Sequence, residues 1–558
     1  MSIERIKQMK EFPKKVVYQI YPKSFYDTTG SGMGDLQGVI AKLDYLQKLG
    51  VDYIWLTPFY VSPQNDNGYD VADYYNIDPA YGTMKDVEIL IAEAKKRNIY
   101  LMMDMVFNHV STEHIWFKQA MAGDEKYQKY FFFKQGKAKN VPLTNWQSKF
   151  GGSAWEYVEK FDKWYLHLFD KTQADLNWEN PEVREEVKKI VRFWMDKGVK
   201  GFRFDVVNLI SKAGFEDDFS NVGDGRQFYT DGPRIHEFLQ ELARDSFGQD
   251  KEIITVGEMS STTMEHCYKY AGEDTKELSM VFNFHHLKVD FMGNEKWVLV
   301  PTDFMKLKQL IFDWQINMAK HHAWNAVFWC NHDQPRVISH FGSDDRYHKE
   351  SGKMLATLIH CLRGTPYIYQ GEEIGMTNPH FKTIKQYRDV ESINHYRILQ
   401  EKGMTSEQAL MILGVHSRDN SRTPMQWNDK VNAGFTTGTP WIDVNENYTD
   451  INVENSLNDE QSLFYFYQKL IAFRKQYDVI AYGDVKPLLF EDKRVFAYER
   501  NYQGQKLIVI CNFYSTVVEI ELPYDLSEYK CILNNYKFEQ KSKKFVLKPY
   551  ESLVYCNL

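Results

Sequence analysis

The 558-residue sequence lacks several features that would assign it to particular classes of protein. Its six cysteines show no close spacing of the CxxC kind, which argues against a disulfide framework and favours a reducing compartment. No window reaches the roughly 18 apolar residues that a membrane span requires. The net charge is −8 and long basic runs are missing, so we expect no nucleic-acid partner.

The N-terminal stretch MSIERIKQMKEF also lacks the apolar core of about 7–15 residues that a secretory signal contains. Together with the scattered cysteines, this predicts a protein of the cytoplasm. We further expect a monomer that does not associate with membranes.

Short apolar runs alternate with amphipathic helical segments over most of the chain. The runs occupy residues 16–22, 52–58, 100–109, 201–207, 252–259, 278–284, 326–333 and 365–373. Strand-like runs separated by helices predict an α/β fold, a (β/α)8 TIM barrel whose parallel strands are buried on both faces.

Two regions depart from this alternation. Residues 109–175 are too long for a simple connection and are rich in Trp, Tyr, Lys and Gly, which predicts a lobe inserted after the third strand. After residue 476 the pattern changes to short strands of period two, which predicts a C-terminal antiparallel β domain of the sandwich type. We therefore predict a barrel from residues 1–108 and 176–476, the lobe at 109–175 and the β domain at 477–558.

Acidic side chains follow three different predicted strands. Asp205, Glu258 and Asp333 stand where the working groups of a barrel gather, at the carboxyl ends of the strands. Any one of them alone is equally well explained as a structural hydrogen-bonding partner. Three carboxylates buried together cost several kcal/mol unless function requires them. In a chain without a Ser-His pair or a phosphate loop, such a cluster favours glycosyl chemistry.

Five motifs carry a resemblance to a known family. DMVFNH (104–109), TQADLNW (172–178), GFRFDVV (201–207), VGEM (256–259) and CNHDQP (330–335) resemble the signature regions of the α-amylase family of glycoside hydrolases. The resemblance implies that Asp205 is the nucleophile, that Glu258 is the general acid/base and that Asp333 is the third, substrate-binding carboxylate. It also implies retention of anomeric configuration, for which the first two carboxyl groups lie about 5–5.5 Å apart.

The same resemblance implies a set of sugar-binding residues. His109, Arg203 and His332 match the donors around the sugar that is cleaved. QNDNGYD (64–70) and SRDNSRTPMQW (417–427) are similar to the oligo-1,6-glucosidase and α-glucosidase branch. In that branch the residues that match Asp66 and Arg418 bind the far hydroxyls of a terminal glucose, and the residue that matches Tyr69 stacks beneath it. A pocket closed in this way implies an exo-acting enzyme.

Four further stretches point to a phosphorylated substrate. FHHLKVD (284–290), TNPHF (377–381), KFGGSAWEY (149–157) and FWCNHDQPR (328–336) resemble the phospho-α-(1,1)-glucosidases of this branch. The implied substrate is a phosphorylated disaccharide, α,α-trehalose 6-phosphate, which is hydrolysed to glucose and glucose 6-phosphate. An acidic pocket repels a phosphate unless cations lie nearby, and we expect Lys288, Lys296 and His286 to hold it.

The loop YDTTGSGMGDL (26–36) leaves two interpretations open. Related sequences carry alternating acids there that bind Ca²⁺, and Asp27 and Asp35 retain carboxylates for a structural Ca²⁺. A glycine-rich turn without an ion explains the loop at least as well. No cofactor is expected to be required for the reaction.

Two other functions are compatible with parts of the sequence. One is a different enzyme of the same branch, an oligo-1,6-glucosidase or a glucosyl-shifting isomerase. The other is an inactive barrel that serves as a binding or scaffold protein. The second is disfavoured because all three acids are present.

Overall fold

The structure, a computed structural model, describes residues 12–537 and 542–557. Eight of the described strands form one parallel sheet: β1 (Val17–Ile20), β2 (Tyr53–Leu56), β3 (Tyr100–Val106), β4 (Gly201–Asp205), β5 (Ile254–Glu258), β6 (Met280–Phe282), β7 (Ala326–Val327) and β8 (Thr365–Tyr369). Their order in the sheet is β6-β5-β4-β3-β2-β1-β8-β7. Each predicted apolar run contains one of these strands, so the predicted barrel is confirmed.

The sheet closes on itself between β6 and β7. The amide of Val281 donates to the carbonyl of Trp324 at 3.3 Å, and Val281 forms an isolated parallel bridge with Asn325. Nearly every residue of the eight strands is buried, because side chains fill the barrel inside and helices cover it outside.

Helices follow the strands, and several of them begin at a polar side-chain cap. The first turn after Asn180 is typical: the Asn180 side chain accepts from the Glu182 amide, and Pro181 fixes the first helical position. The described α-helices are Leu36–Ala41, Leu43–Leu49, Met84–Lys96, Ile115–Ala122, Glu125–Gln128, Pro181–Asp196, Arg226–Tyr229, Ile235–Arg244, Met264–Tyr270, Phe304–Lys320, Val337–Phe341, His348–His360, Val390–Glu401, Ser406–His416, Asp419–Arg422, Val453–Asn458, Leu463–Gln476 and Asp478–Tyr482. No described helix combines the length and apolar character that a membrane crossing requires.

The segment after β3 leaves the barrel and returns to it at one point. Its short strands are His109–Ser111, Phe133–Lys134, Trp155–Val158, Lys163–Leu166 and Gln173–Asp175. The first and last pair antiparallel, with Asp175 opposite His109. Lys212, in the connection after β4, is buried and binds the Asp175 carboxylate at 2.8 Å. This internal ion pair ties the end of the segment to the barrel beside the strand ends.

A short hairpin after β2, Tyr60–Val61 paired with Asp73–Ile77, also projects beyond the strand ends. All six cysteines are free thiols, so this structure is held together without disulfide bonds.

The C-terminal part forms antiparallel sheets, as predicted. Its strands are Asp484–Leu488, Val495–Tyr502, Gln505–Asn512, Val518–Glu521, Lys530–Asn534, Lys544–Leu547 and Ser552–Cys556. Lys308, on the barrel helix Phe304–Lys320, is fully buried against this part. Its ammonium donates to the carbonyls of Leu489, Asp492 and Val495 at 2.6, 3.0 and 2.8 Å. The lysine thus fastens the β domain to the barrel.

We predict that Lys308→Met destabilises the protein by about 3 kcal/mol, since three carbonyls lose a charged donor while the apolar stem is kept. Urea unfolding measures the change. Lys306→Met, at an exposed position on the same helix, serves as the control and is expected to leave stability unchanged. Equal stability of the two variants would contradict this role.

Candidate active site

A single guanidinium stands at the centre of the strand ends. Arg203 on β4 is 1% exposed, and one of its terminal nitrogens donates to Asp104 at 2.6 Å and to Asp205 at 2.7 Å. The other terminal nitrogen contacts Glu258 at the end of β5. Acids from three neighbouring strands are therefore gathered around one permanent cation, which offsets their mutual repulsion.

Asp205 and Glu258 share this guanidinium from adjacent nitrogens. Two carboxyl groups held so close together suit the paired acids of a retaining glycosidase, which lie about 5–5.5 Å apart. Val206, directly after Asp205, adopts a left-handed backbone with φ of +33°. Such a conformation costs a β-branched residue about 1–3 kcal/mol, and residues of this kind are concentrated at functional sites.

Asp333 and His332 follow β7 on the opposite wall. Burial alone would raise the pKa of Asp333, but Arg418 at 3.6 Å and Arg422, which donates to it at 2.5 Å, lower it far below its usual range. Burial lowers the pKa of His332 to about 3, which keeps the imidazole neutral. Gln19 holds its Nδ1 at 2.7 Å, while its Nε2 lies 3.6 Å from Asp333 and has no hydrogen-bond partner among the described residues. That atom is available to a bound hydroxyl.

The hairpin after β2 brings Asp66 and Tyr69 to the same place. The ring of Tyr69 stacks on that of His332 at 5.3 Å, and its hydroxyl donates to Asp104 at 3.0 Å. Nε2 of His109 lies 3.1 Å from the carbonyl of Tyr69. These contacts fix the aromatic face in the floor of the cavity.

Arg418 closes the far side. It binds Asp389 at 2.5 Å and Asp66 at 3.2 Å, and it lies 3.6 Å from Asp333. Phe150 packs over its guanidinium at 4.9 Å. One side of the cavity is therefore a wall of paired charges, through which an extended polymer could not pass.

These residues enclose a cavity of about 210 Å³. It is lined by Asp66, Tyr69, His109, Lys149, Phe150, Phe169, Asp205, Val206, Glu258, Ser260, Lys296, Asp333, Gln334, Glu391 and Arg418. A larger hollow of about 520 Å³ lies between the hairpin after β2 and the helix Ile115–Ala122. Size alone would favour the larger hollow, but only the smaller one contains the acids from the strand ends.

Cations occupy the mouth of this cavity. Lys296 lines it and binds Glu391 at 2.9 Å. Lys288 is exposed to solvent near Lys296, and partial desolvation and then the charges of Arg226 and Lys296 lower its ammonium pKa. Burial, followed by the charges of Arg226 and Lys288, lowers the pKa of Lys149 to about 8. We call Lys149, Arg226, Lys288 and Lys296 the mouth cations.

His286 does not join the mouth cations, contrary to the sequence-based expectation. Its ring is buried, and Nε2 bonds to the carbonyl of Phe328 at 2.9 Å. Burial lowers its pKa to about 4, so it is neutral. The residue anchors the loop instead.

The loop 26–36 does not fit a calcium ion. Oδ1 of Asp27 accepts from the amides of Thr29 and Gly30, and Oδ2 accepts from the Gly32 amide. Asp35 caps the helix Leu36–Ala41 by accepting from Gly38. Among residues 12–537 and 542–557, no cluster of three or more His, Cys, Asp or Glu side chains could hold a metal.

Several lining residues escaped the sequence analysis. Lys149, Phe150 and Phe169 come from the inserted segment, and Glu391 comes from the helix Val390–Glu401. Lys149 opens one of the stretches that carry the resemblance, so a signal was present there. Glu391 has no such signal, because its approach to Lys296 spans 95 residues of chain.

A parallel barrel that gathers carboxylates from successive strands around one arginine defines the class of barrel glycosidases. The family "Alpha amylase, catalytic domain" matches residues 19–483, and "Alpha-amylase SusG C-terminal domain" matches residues 495–554. The chain belongs to the α-amylase family of glycoside hydrolases, which confirms the resemblance.

Relatives of known name agree with this assignment. Trehalose-6-phosphate hydrolase of Bacillus subtilis (strain 168) is 55% identical over 97% of each chain. Oligo-1,6-glucosidase of Halalkalibacterium halodurans is 47% identical over 97% of this chain and 98% of its own. The crystal structure of trehalose-6-phosphate hydrolase from Bacillus licheniformis superposes with a TM-score of 0.94 at 55% identity, covering 98% of this chain and 100% of its own.

We predict a pH-dependent contribution of Asp66 to stability. Burial raises its pKa to about 7 despite Arg418 and Arg422, whereas an unfolded Asp titrates near 3.9. The folded state therefore retains this proton between about pH 4 and pH 7, and the stability it contributes is lost as the pH rises through that window. Asp66→Asn should lack this loss, so its stability relative to wild type rises from pH 5 to pH 7. The melting temperatures of Asp66→Asn and wild type are measured from pH 5 to pH 7. A difference between them that stays constant over this range would contradict the raised pKa of Asp66.

Proposed function

We propose that the protein is a retaining, exo-acting glycosidase that hydrolyses α,α-trehalose 6-phosphate to glucose and glucose 6-phosphate. The observation that carries this proposal is the set of mouth cations beside an acid-lined pocket. A neutral disaccharide has no need of such cations, whereas a phosphate with close to two negative charges does. The names of the trehalose-6-phosphate hydrolases among the relatives support the same substrate.

The unphosphorylated glucose unit occupies the closed end of the pocket in this proposal. Asp66 and Arg418 bind its far hydroxyls, and Tyr69 stacks beneath the ring. Because the paired charges of Arg418 block that end, only a terminal sugar fits. The enzyme is therefore exo-acting.

Asp205 attacks C1 of this glucose, and the bond from C1 to the bridging oxygen breaks. Glu258 gives its proton to that oxygen as glucose 6-phosphate leaves. The deprotonated Glu258 then takes a proton from water, whose oxygen attacks C1 and releases Asp205. Two inversions at C1 give net retention.

The other residues of the pocket assist this sequence. Arg203 orients Asp205 by donating to its carboxylate at 2.7 Å. Asp333, held as an anion by its cationic neighbours, accepts ring hydroxyls and stabilises positive charge that develops on the sugar. Nε2 of His332 supplies a further donor, and His109 lines the pocket while its Nε2 holds the Tyr69 carbonyl.

The phosphate of the departing unit lies among the mouth cations. Lys288 and Lys296 extend from the loop after β6, and Lys149 approaches from the inserted segment. Glu391 pairs with Lys296 and offsets the repulsion between these cations. We further propose that the enzyme works as a monomer in the cytoplasm, where a phosphorylated sugar is retained.

We predict that Glu258→Gln lowers kcat for trehalose 6-phosphate by about 10²–10⁴-fold, because the amide cannot donate or accept the proton. With p-nitrophenyl α-glucoside, whose leaving group needs no proton, a glucosyl adduct should accumulate on the Asp205 peptide. Mass spectrometry detects it. A fully active variant, or an adduct on another residue, would contradict the assigned roles.

We predict that Lys288→Ala and Lys296→Ala each lower the preference for trehalose 6-phosphate over trehalose by roughly ten- to a hundredfold, the value of one charge-assisted contact. The ratio of kcat/KM values measures the preference. Lys118→Ala, on the helix Ile115–Ala122, is the matched control. An unchanged ratio in both variants would show that these lysines do not bind the phosphate. If the wild-type enzyme hydrolysed isomaltose faster than trehalose 6-phosphate, the result would favour an oligo-1,6-glucosidase.

A further inference from the structure

A buried cluster lies behind the loop that carries Lys288 and Lys296. It consists of Asp290 in that loop, His340 on the helix Val337–Phe341 and His416 at the end of the helix Ser406–His416. We propose that this Asp290 cluster is a positioning device that sets the preference for the phosphorylated substrate by fixing the two lysines relative to the glucose pocket. The inference rests on the function proposed above.

The cluster is built around one carboxylate oxygen. Asp290 is 4% exposed, and its Oδ2 accepts a hydrogen bond from Nε2 of His340 at 3.0 Å. Nδ1 of His416 approaches the same oxygen at 4.0 Å from the other side. Burial would raise the pKa of Asp290, but the two histidines lower it, so the carboxylate is ionised. An ionised group in this position holds the loop strongly because its release would leave a buried charge unpaired.

His416 also connects the two stems of the loop. Its Nε2 donates to the carbonyl of Val298 at 2.8 Å, while its Nδ1 faces Asp290. The ring thus holds residue 298 by a hydrogen bond and packs beside residue 290 at a distance beyond hydrogen-bond reach. Lys296 lies between them, and Lys288 lies just before the first stem. The spacing of both lysines depends on this connection.

The backbone on either side directs Lys288 outward. Leu287 and Val289 are buried, at 1% and 3% exposure, whereas Lys288 between them is exposed. The amide of Asp303 donates to the carbonyl of Val289 at 3.0 Å. With Leu287, Val289 and Asp290 anchored, the Lys288 side chain is directed to the surface.

The cluster joins the phosphate loop to the two segments that bind glucose. His416 lies two residues before Arg418, and the helix that contains His340 follows Asp333 along the chain. A shift of the carboxylate would therefore change the distance from the lysines to Arg418 and Asp333. Binding of a substrate that carries both a glucose and a phosphate depends on that distance. Binding of a substrate without a phosphate does not.

The test compares Asp290→Asn and His416→Gln with wild type and with Glu277→Gln. Glu277 is a buried acid that pairs with the half-buried His236 at 3.0 Å outside this loop, so it is a matched control. We expect Asp290→Asn and His416→Gln to lower kcat/KM for trehalose 6-phosphate by about tenfold through KM, while that for p-nitrophenyl α-glucoside stays within about twofold. Hydrogen exchange of residues 286–298 should become faster in both variants.

The outcomes separate the inference from the function on which it rests. The positioning role would be overturned if the variants lost kcat/KM equally on both substrates or kept the wild-type KM for trehalose 6-phosphate. Unchanged hydrogen exchange of residues 286–298 would also overturn it. A wild-type enzyme with no preference for the phosphorylated sugar would instead overturn the proposed function. In that case, faster exchange in the variants would still support the Asp290 cluster as the anchor of the loop, and unchanged exchange would reject it.

Discussion

The arrangement of the active site depends on the buried guanidinium of Arg203. Asp104, Asp205 and Glu258 come from three adjacent strands, and without a shared cation their charges could not be kept together in a dry barrel. The parallel register places Arg203 opposite Asp104, so the contact follows directly from strand pairing. Burial of the barrel core therefore sets the geometry of the acids. The other walls of the pocket surround Arg203 and these acids.

The mouth cations form a second set of charges, in which positive charges outnumber negative ones. Around Arg203, one cation holds several anions, whereas at the mouth Glu391 pairs with Lys296 and Asp224 pairs with Arg226. In the first arrangement burial and Asp205 raise the pKa of Asp104 to about 7 despite Arg203. In the second, Lys149 and Lys288 form no ion pair within the part of the chain that the structure describes, which leaves positive charge for an anionic ligand. A pocket with this polarity favours a sugar that is neutral at its closed end and anionic at its open end.

The sequence was sufficient to predict the barrel, the C-terminal β domain and the convergence of Asp205, Glu258 and Asp333, because strand ends of a parallel barrel meet by construction. It could not predict contacts that depend on how long connections fold. Lys149 reaches the mouth only through the inserted segment, and Glu391 only through a helix far along the chain. His286 was wrongly expected at the phosphate, because its place in the sequence beside Lys288 does not reveal that its ring points to Phe328.

The central claim is that one pocket binds glucose through Arg203 and its acids while the mouth cations bind phosphate. The most direct measurement is a crystal structure of the Glu258→Gln protein with trehalose 6-phosphate bound. The account predicts C1 of the unphosphorylated glucose facing Asp205, with the phosphate oxygens in hydrogen-bond contact with Lys288 or Lys296. A phosphate bound at the closed end beside Arg418, or directed away from all four mouth cations, would contradict it.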